Sequence, residues 1–231
     1  DYMFGCFFAF MNLGVMIGSP IWGNLADSGK KKISVVSGFF IYGIFQFLFG
    51  QGNIFGPWTL SLIRFLSGFG MAASFTIIMS EIIILSENKN KARNIALAAA
   101  ALAIGGAFGQ FFGGQMYTNP FFINIFKTDQ VANVLLVQGI LSFILGFYVI
   151  LFFKPKEVLK DKTAKRVSFF EGFKRIKELN SKLIIFLFAI VFITMAQTNV
   201  DKYLDVYFIN DLGYKENILG QFKMIVGFVS V

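Results

Sequence analysis

Residues 23–33 read Gly-Asn-Leu-Ala-Asp-Ser-Gly-Lys-Lys-Lys-Ile, a short polar hinge between two apolar stretches that are each long enough to cross a bilayer. A hydrocarbon core about 30 Å thick needs roughly 20 apolar residues in helical form. Met3 to Ala26 supplies them before the hinge, and Ile33 to Phe49 continues after it. Three consecutive lysines mark the turn as cytoplasmic. The chain therefore dips into the cytoplasm at Asp27–Lys32 and leaves again.

Composition agrees with this reading. Of 231 residues, 15% are charged, against about 25% in an ordinary soluble domain. A net charge of +8 in a soluble protein would suggest nucleic acid, but here the basic residues fall between apolar runs, as membrane topology requires. The single cysteine, Cys6, excludes an intrachain disulfide, and the absence of histidine leaves carboxylates as the carriers for any proton chemistry. The 32 phenylalanines are read as lipid-facing bulk.

Further spans follow at Trp58–Leu85, Ile95–Met116, Val134–Phe153, Leu183–Ile209 and from about Ile218. The fold class is all-α and polytopic, with about six complete transmembrane helices and part of a seventh. The loops at 27–32, 86–94 and 154–182 hold 16 of the 21 basic residues, and the opposite loops hold only Lys127 and Lys215. The three basic loops are therefore expected in the cytoplasm of a multi-pass plasma-membrane protein. Residues 1–153 form one transmembrane block, 154–182 a basic cytoplasmic linker, and 183–231 the start of a second block. In the linker, Ser168 to Glu171 fits a capping box, and Phe169, Phe170, Phe173, Ile176 and Leu179 recur at the spacing of a short interfacial helix. The chain opens directly on a span and stops within one, so it is read as a fragment of a longer polytopic protein.

Four groups of residues carry chemistry. In the hinge, Gly23 and Gly29 permit a tight turn around Asp27, Lys30 and Lys31. The spacing is not that of a P-loop, which needs four residues between its glycines and Ser or Thr after its lysine. Arg64 lies inside the third span, where a guanidinium costs roughly 2.5–3.5 kcal/mol and is a functional candidate by default. The alternative is an arginine snorkelling to the outer interface. Gly68 and Ala72 follow it at i+4 and i+8 as a small packing face, and Glu81 sits on the same helix about 260° round from Arg64 at ~100° per residue. In the fourth span, Ala101, Gly105, Gly109 and Gly113, with Gly114 beside them, form a stripe suited to close helix contact. Asp201 and Asp205 share one face near the end of the sixth span. There, mutual repulsion favours proton uptake by one of them, unless they merely belong to an outer-interface cluster screened by Lys202.

These segments resemble motifs of the major facilitator superfamily. Gly23, Leu25, Ala26, Asp27, Gly29, Lys30 and Lys31 match its motif A, Gly-x-Leu-Ala-Asp-Arg-x-Gly-Arg-Lys, with one residue fewer between Asp and Gly and with Ser28 in place of a basic residue. Leu62 to Ala73 resembles motif B, with Ser67 for the usual glutamine. Gly105 to Gly114 resembles motif C of the drug/proton antiporters, with Gln110 for proline. The end of the sixth span, Tyr207 to Tyr214, is similar to the outer end of the family's seventh helix.

The resemblance implies two six-helix bundles around a cavity that opens alternately to each side, with residues 1–153 as the N-terminal bundle lacking its first helix and 183–231 as the start of the C-terminal bundle. It assigns proton coupling to Arg64, with Asp201 or Asp205 loading a proton or cation. A gate loop is assigned to Gly23, Asp27, Gly29, Lys30 and Lys31, with Glu81 as its acid partner. The expected function is proton-coupled efflux of small amphipathic or cationic compounds, similar to that of bacterial multidrug antiporters. The alternatives are an uptake symporter of the same superfamily, for sugar, peptide or anion, and a non-transporting membrane sensor or scaffold. The expected partners are a small-molecule substrate, protons and lipid, with no nucleotide, nucleic acid, cofactor or metal and no enzymatic activity.

Overall fold

The computed structural model describes residues 2–126, 130–155 and 180–229. Among them every regular element is helical: α1 Tyr2–Leu25, α2 Lys31–Gly50, α3 Pro57–Leu85, α4 Lys91–Thr118, α5 Pro120–Phe126, α6 Gln130–Phe152, α7 Ser181–Asn210 and α8 Glu216–Val229. Helices suit an apolar solvent because each satisfies its own backbone N–H and C=O groups. Four runs are long and apolar enough to cross a membrane: Gly5–Gly50, Pro57–Leu85, Lys91–Tyr117 and Ala132–Phe152. The first contains both α1 and α2.

The break between those two helices is at Ala26–Lys30, where Gly29 has φ 88°. L-residues with a side chain rarely adopt that conformation, and glycine does so without steric cost. The helical boundaries follow the apolar runs closely. One difference has a plain cause. Pro120 opens a seven-residue helix, α5, in what reads as a loop, because proline suits a first helical turn. Asp201 and Asp205 make the last turns of α7, before Asn210, more polar than the turns that precede them. The expected interfacial helix at 168–179 lies outside the described residues.

Helices α1, α3, α2 and α6 pack side by side in that order, and α4 pairs mainly with α8. Where lipid removes the hydrophobic incentive for helix association, close backbone approach and dispersion must supply it. Glycines make that approach possible here. A methyl group on Gly68 would collide with the Met11 carbonyl, and one on Gly14 with the Phe65 carbonyl. Gly38 abuts Ala73 and Gly70 across the α2–α3 seam, and Gly43 faces Gly139 across the α2–α6 seam. Trp22 seals the α1–α3 contact by donating its indole N–H to the Phe69 carbonyl at 2.8 Å. These contacts place the polar side chains of α2, α3 and α6 against one another.

Candidate functional site

Arg64 lies seven residues beyond Pro57, the first residue of α3. At 1.5 Å per residue that is about 10 Å from the helix end. Its Nη1 donates to Gln46 Oε1 at 3.1 Å, and its guanidinium carbon sits 3.8 Å from the Phe49 ring centroid. Gln46 is 2% exposed. Its Nε2 donates to Tyr42 Oη at 2.7 Å and to Gln138 Oε1 at 3.0 Å, while Gln138 Nε2 donates to Tyr42 Oη at 2.6 Å. Three helices thus contribute to one polar network inside the apolar spans, with Arg64 at its end.

No carboxylate among the described residues forms an ion pair with Arg64; a carboxamide and an aromatic face hold it instead. A cation over a desolvated ring gains up to about 2 kcal/mol. The planar guanidinium can lie against the ring while its edge N–H group reaches the acceptor, a geometry fixed by its rigid fork. Ser67, which stands where motif B has glutamine, is fully buried, and its hydroxyl has no hydrogen-bond partner among the described residues. The carboxamide next to Arg64 comes from α2 instead.

The gate-loop residues separate into two sets. Lys31 and Glu81 form a buried ion pair between α2 and α3. Beside it, Ala26, Val35, Ile77 and Val149 form an apolar cluster. Asp27, Gly29 and Lys30 are exposed on the turn, and a side chain on Gly23 would meet nothing within 4 Å. The lysine that reaches Glu81 is therefore the second of the three.

The packing residues also separate. Gly68 and Ala72 are buried between α1 and α3, as the small face of that helix predicts. The α4 stripe requires a correction. A side chain on Gly105 or Gly109 would meet nothing within 4 Å, and one on Gly113 would reach only Val134 of α6. Gly114 does pack closely as expected, against Glu216 at the start of α8, and the rest of that contact uses the neighbouring face: Ala107 against Gly227 and Gln110 against Gly220. The span carries small residues on several sides, so spacing alone could not select the contacting face.

Asp201 and Asp205 lie four residues apart on the continuous helix α7, in different surroundings. Asp201 is exposed, and Asp205 forms an ion pair with Lys223 of α8. Beside that pair, Gln110, Tyr117 and Glu216 help line a pocket of about 340 Å³ with mixed polar and apolar walls. No group of three or more metal-ligating side chains occurs among the described residues.

The family model of the Major Facilitator Superfamily matches residues 2–231. Over 157 residues the chain is 29% identical to the quinolone resistance protein NorA of Staphylococcus aureus, with the same figure for strains N315, MW2 and COL. The aligned part is 66% of this chain and 37% of the relative, so the chain spans well under two thirds of the length of the proteins it matches. No solved structure matches it.

Proposed function

Since the chain belongs to the major facilitator superfamily, a family of membrane transporters, we propose that it acts in proton-coupled efflux of small amphipathic or cationic compounds. Efflux is favoured by the similarity to NorA, whose name records quinolone resistance. The observation that carries the coupling assignment is Arg64, held within the bilayer span by Gln46 and Phe49 without a carboxylate. A charge in that position is costly to keep. That cost favours a role for the guanidinium in the transport cycle over a purely structural one. Asp205, paired with Lys223 at the junction of α7 and α8, is the acid proposed to exchange protons, and exposed Asp201 plays at most a secondary part.

The Lys31–Glu81 pair acts as a lock at the cytoplasmic end of α2 and α3. Removing one member of a buried pair leaves an uncompensated charge and costs about 3–5 kcal/mol. Each charge therefore needs the other for as long as both are buried, and the pair can separate only in a conformation that lets both reach water. Driving the change requires a ligand or proton that binds the second state better. The protein resides in the cell membrane, with the turn at 27–32 facing the cytoplasm. The test is efflux of a cationic dye from cells expressing the protein, with and without a protonophore. Retention of dye only when the protonophore is present supports the proposal, and protonophore-insensitive efflux refutes it.

A further inference from the structure

The Gln46 carboxamide can meet Arg64 only through its oxygen, because a guanidinium has N–H donors and no acceptor. Both of its own N–H groups are committed elsewhere, one to Tyr42 Oη at 2.7 Å and one to Gln138 Oε1 at 3.0 Å. Gln138 in turn donates to Tyr42 Oη at 2.6 Å, so the tyrosine oxygen accepts twice and closes a ring of three side chains. Every bond in the ring runs away from Arg64. A reversed Gln46 amide would set donor against donor at the arginine and oxygen against oxygen at Gln138. Gly43 and Gly139 bring the α2 and α6 backbones together beside the ring, which puts Gln138 within reach of Gln46.

We propose that Gln138 and Tyr42 are positioning residues for Arg64: they hold the Gln46 carboxamide with its oxygen toward the guanidinium, and so tie the arginine to α6. This rests on the proton-coupling reading of Arg64. The terminal torsion of a glutamine is broad and has two opposed orientations, so a carboxamide bonded to Arg64 alone would be free to swing. Two acceptors on its N–H side remove that freedom. Gln138 is exposed on α6, and a carboxamide within an apolar span is costly unless it is bonded. Packing at that place would be served by leucine, whereas the ring requires the amide. When α6 shifts along α2 the ring opens, Gln46 turns, and Arg64 loses its oriented acceptor. The position of α6 thus reaches the arginine through Gln46.

The test reads the guanidinium itself, by nuclear magnetic resonance of the purified protein in lipid nanodiscs with its arginine nitrogens isotope-labelled. The chain has four arginines, and Arg64→Lys identifies the Arg64 signals by their loss. In the wild type the two Nη groups of Arg64 should give separate signals, because a held guanidinium turns slowly. In Gln138→Met, which keeps the side chain's length but drops its amide, they should merge. Ser142→Ala removes a hydroxyl that bonds back to its own helix, at the Gln138 carbonyl, and should leave them separate. In proteoliposomes, protons moved per ethidium cation should fall about threefold to tenfold in Gln138→Met, the range of one neutral hydrogen bond. That ratio does not depend on how much of the protein is folded. Should Gln138→Met fail to fold, Tyr42→Phe removes the oxygen that accepts both amides and provides the same comparison. Separate Arg64 signals in a folded variant would overturn the proposal, as would merging in Ser142→Ala, or an unchanged ratio where the wild type moves protons. A wild type that moves no protons refutes the coupling reading alone, and the guanidinium signals then decide the positioning.

Discussion

Lys31 and Glu81, 50 positions apart in the chain, form an ion pair whose side chains are only 10% and 5% exposed. Fifteen residues further along α2, Gln46 accepts a hydrogen bond from Arg64. One helix therefore fastens α3 at two polar points about 22 Å apart. Between them, Gly38 and Gly70 let the two backbones touch. Apolar surfaces in lipid select weakly among neighbours, so these two contacts set how far α3 can slide along α2. The sliding of such packed helices is a recognised form of domain motion.

Glu81→Gln should slow turnover of all substrates alike, because the lock concerns conformation and not recognition. Lys31→Met should do the same. The double variant Lys31→Met/Glu81→Leu should regain part of the rate, since no unpaired charge remains buried. Dye efflux rates for the three variants give the coupling directly. Asp27→Asn, at an exposed position, should change turnover less than either single variant.

Arg64→Lys keeps the charge but loses the planar fork that meets Gln46 and Phe49 together. Proton-driven transport should fall at least about tenfold, the equivalent of 1.4 kcal/mol. Membrane insertion should stay normal. Gln46→Leu should reproduce most of that loss, because it removes the acceptor that Arg64 uses. Wild-type rates in the Lys variant would point to an arginine that merely snorkels.

Gly68→Leu and Gly109→Leu should differ sharply. The first drives a side chain into the Met11 backbone, which cannot swing aside as a flexible side chain can. Overpacking of this kind costs typically 1–3 kcal/mol or more, so the melting temperature should drop by at least about 5 °C. Around Gly109 nothing lies within 4 Å, and the same substitution should leave the melting temperature within about 2 °C. Thermal unfolding of the two purified variants decides.

Asp205→Asn should impair transport far more than Asp201→Asn. Asp205 faces Lys223, whereas Asp201 is exposed to its surroundings. Efflux in the Asp201 variant should stay within about twofold of wild type, as expected where no buried partner is lost.

Much of this architecture was legible in the sequence, for physical reasons. The apolar runs had to become helices, and the glycine of the hinge had to absorb the turn, which Gly29 does with its positive φ. Gly68 and Ala72 followed Arg64 at helical spacing, and both are buried. The partners were another matter. Tyr42, Gln46 and Gln138 are ordinary polar residues within apolar runs, and their meeting depends on α6 lying beside α2, which periodicity along one helix does not encode. A glutamine inside a span was the available signal, because an unpaired carboxamide is expensive there. The contacting face of α4 was illegible because alanine and glycine surround that helix. Lys223 escaped notice because it lies in the last apolar run, 18 positions beyond Asp205.

The proposed coupling of protons to substrate movement depends on Arg64. Its most direct measurement is proton flux in proteoliposomes loaded with a pH-sensitive dye, triggered by adding a transported cation without an imposed gradient. The wild-type protein should move protons as the cation is added, and Arg64→Lys should cut that flux at least about tenfold while still binding the cation. Cation movement by the wild-type protein without any proton flux, or undiminished flux in Arg64→Lys, would refute that coupling.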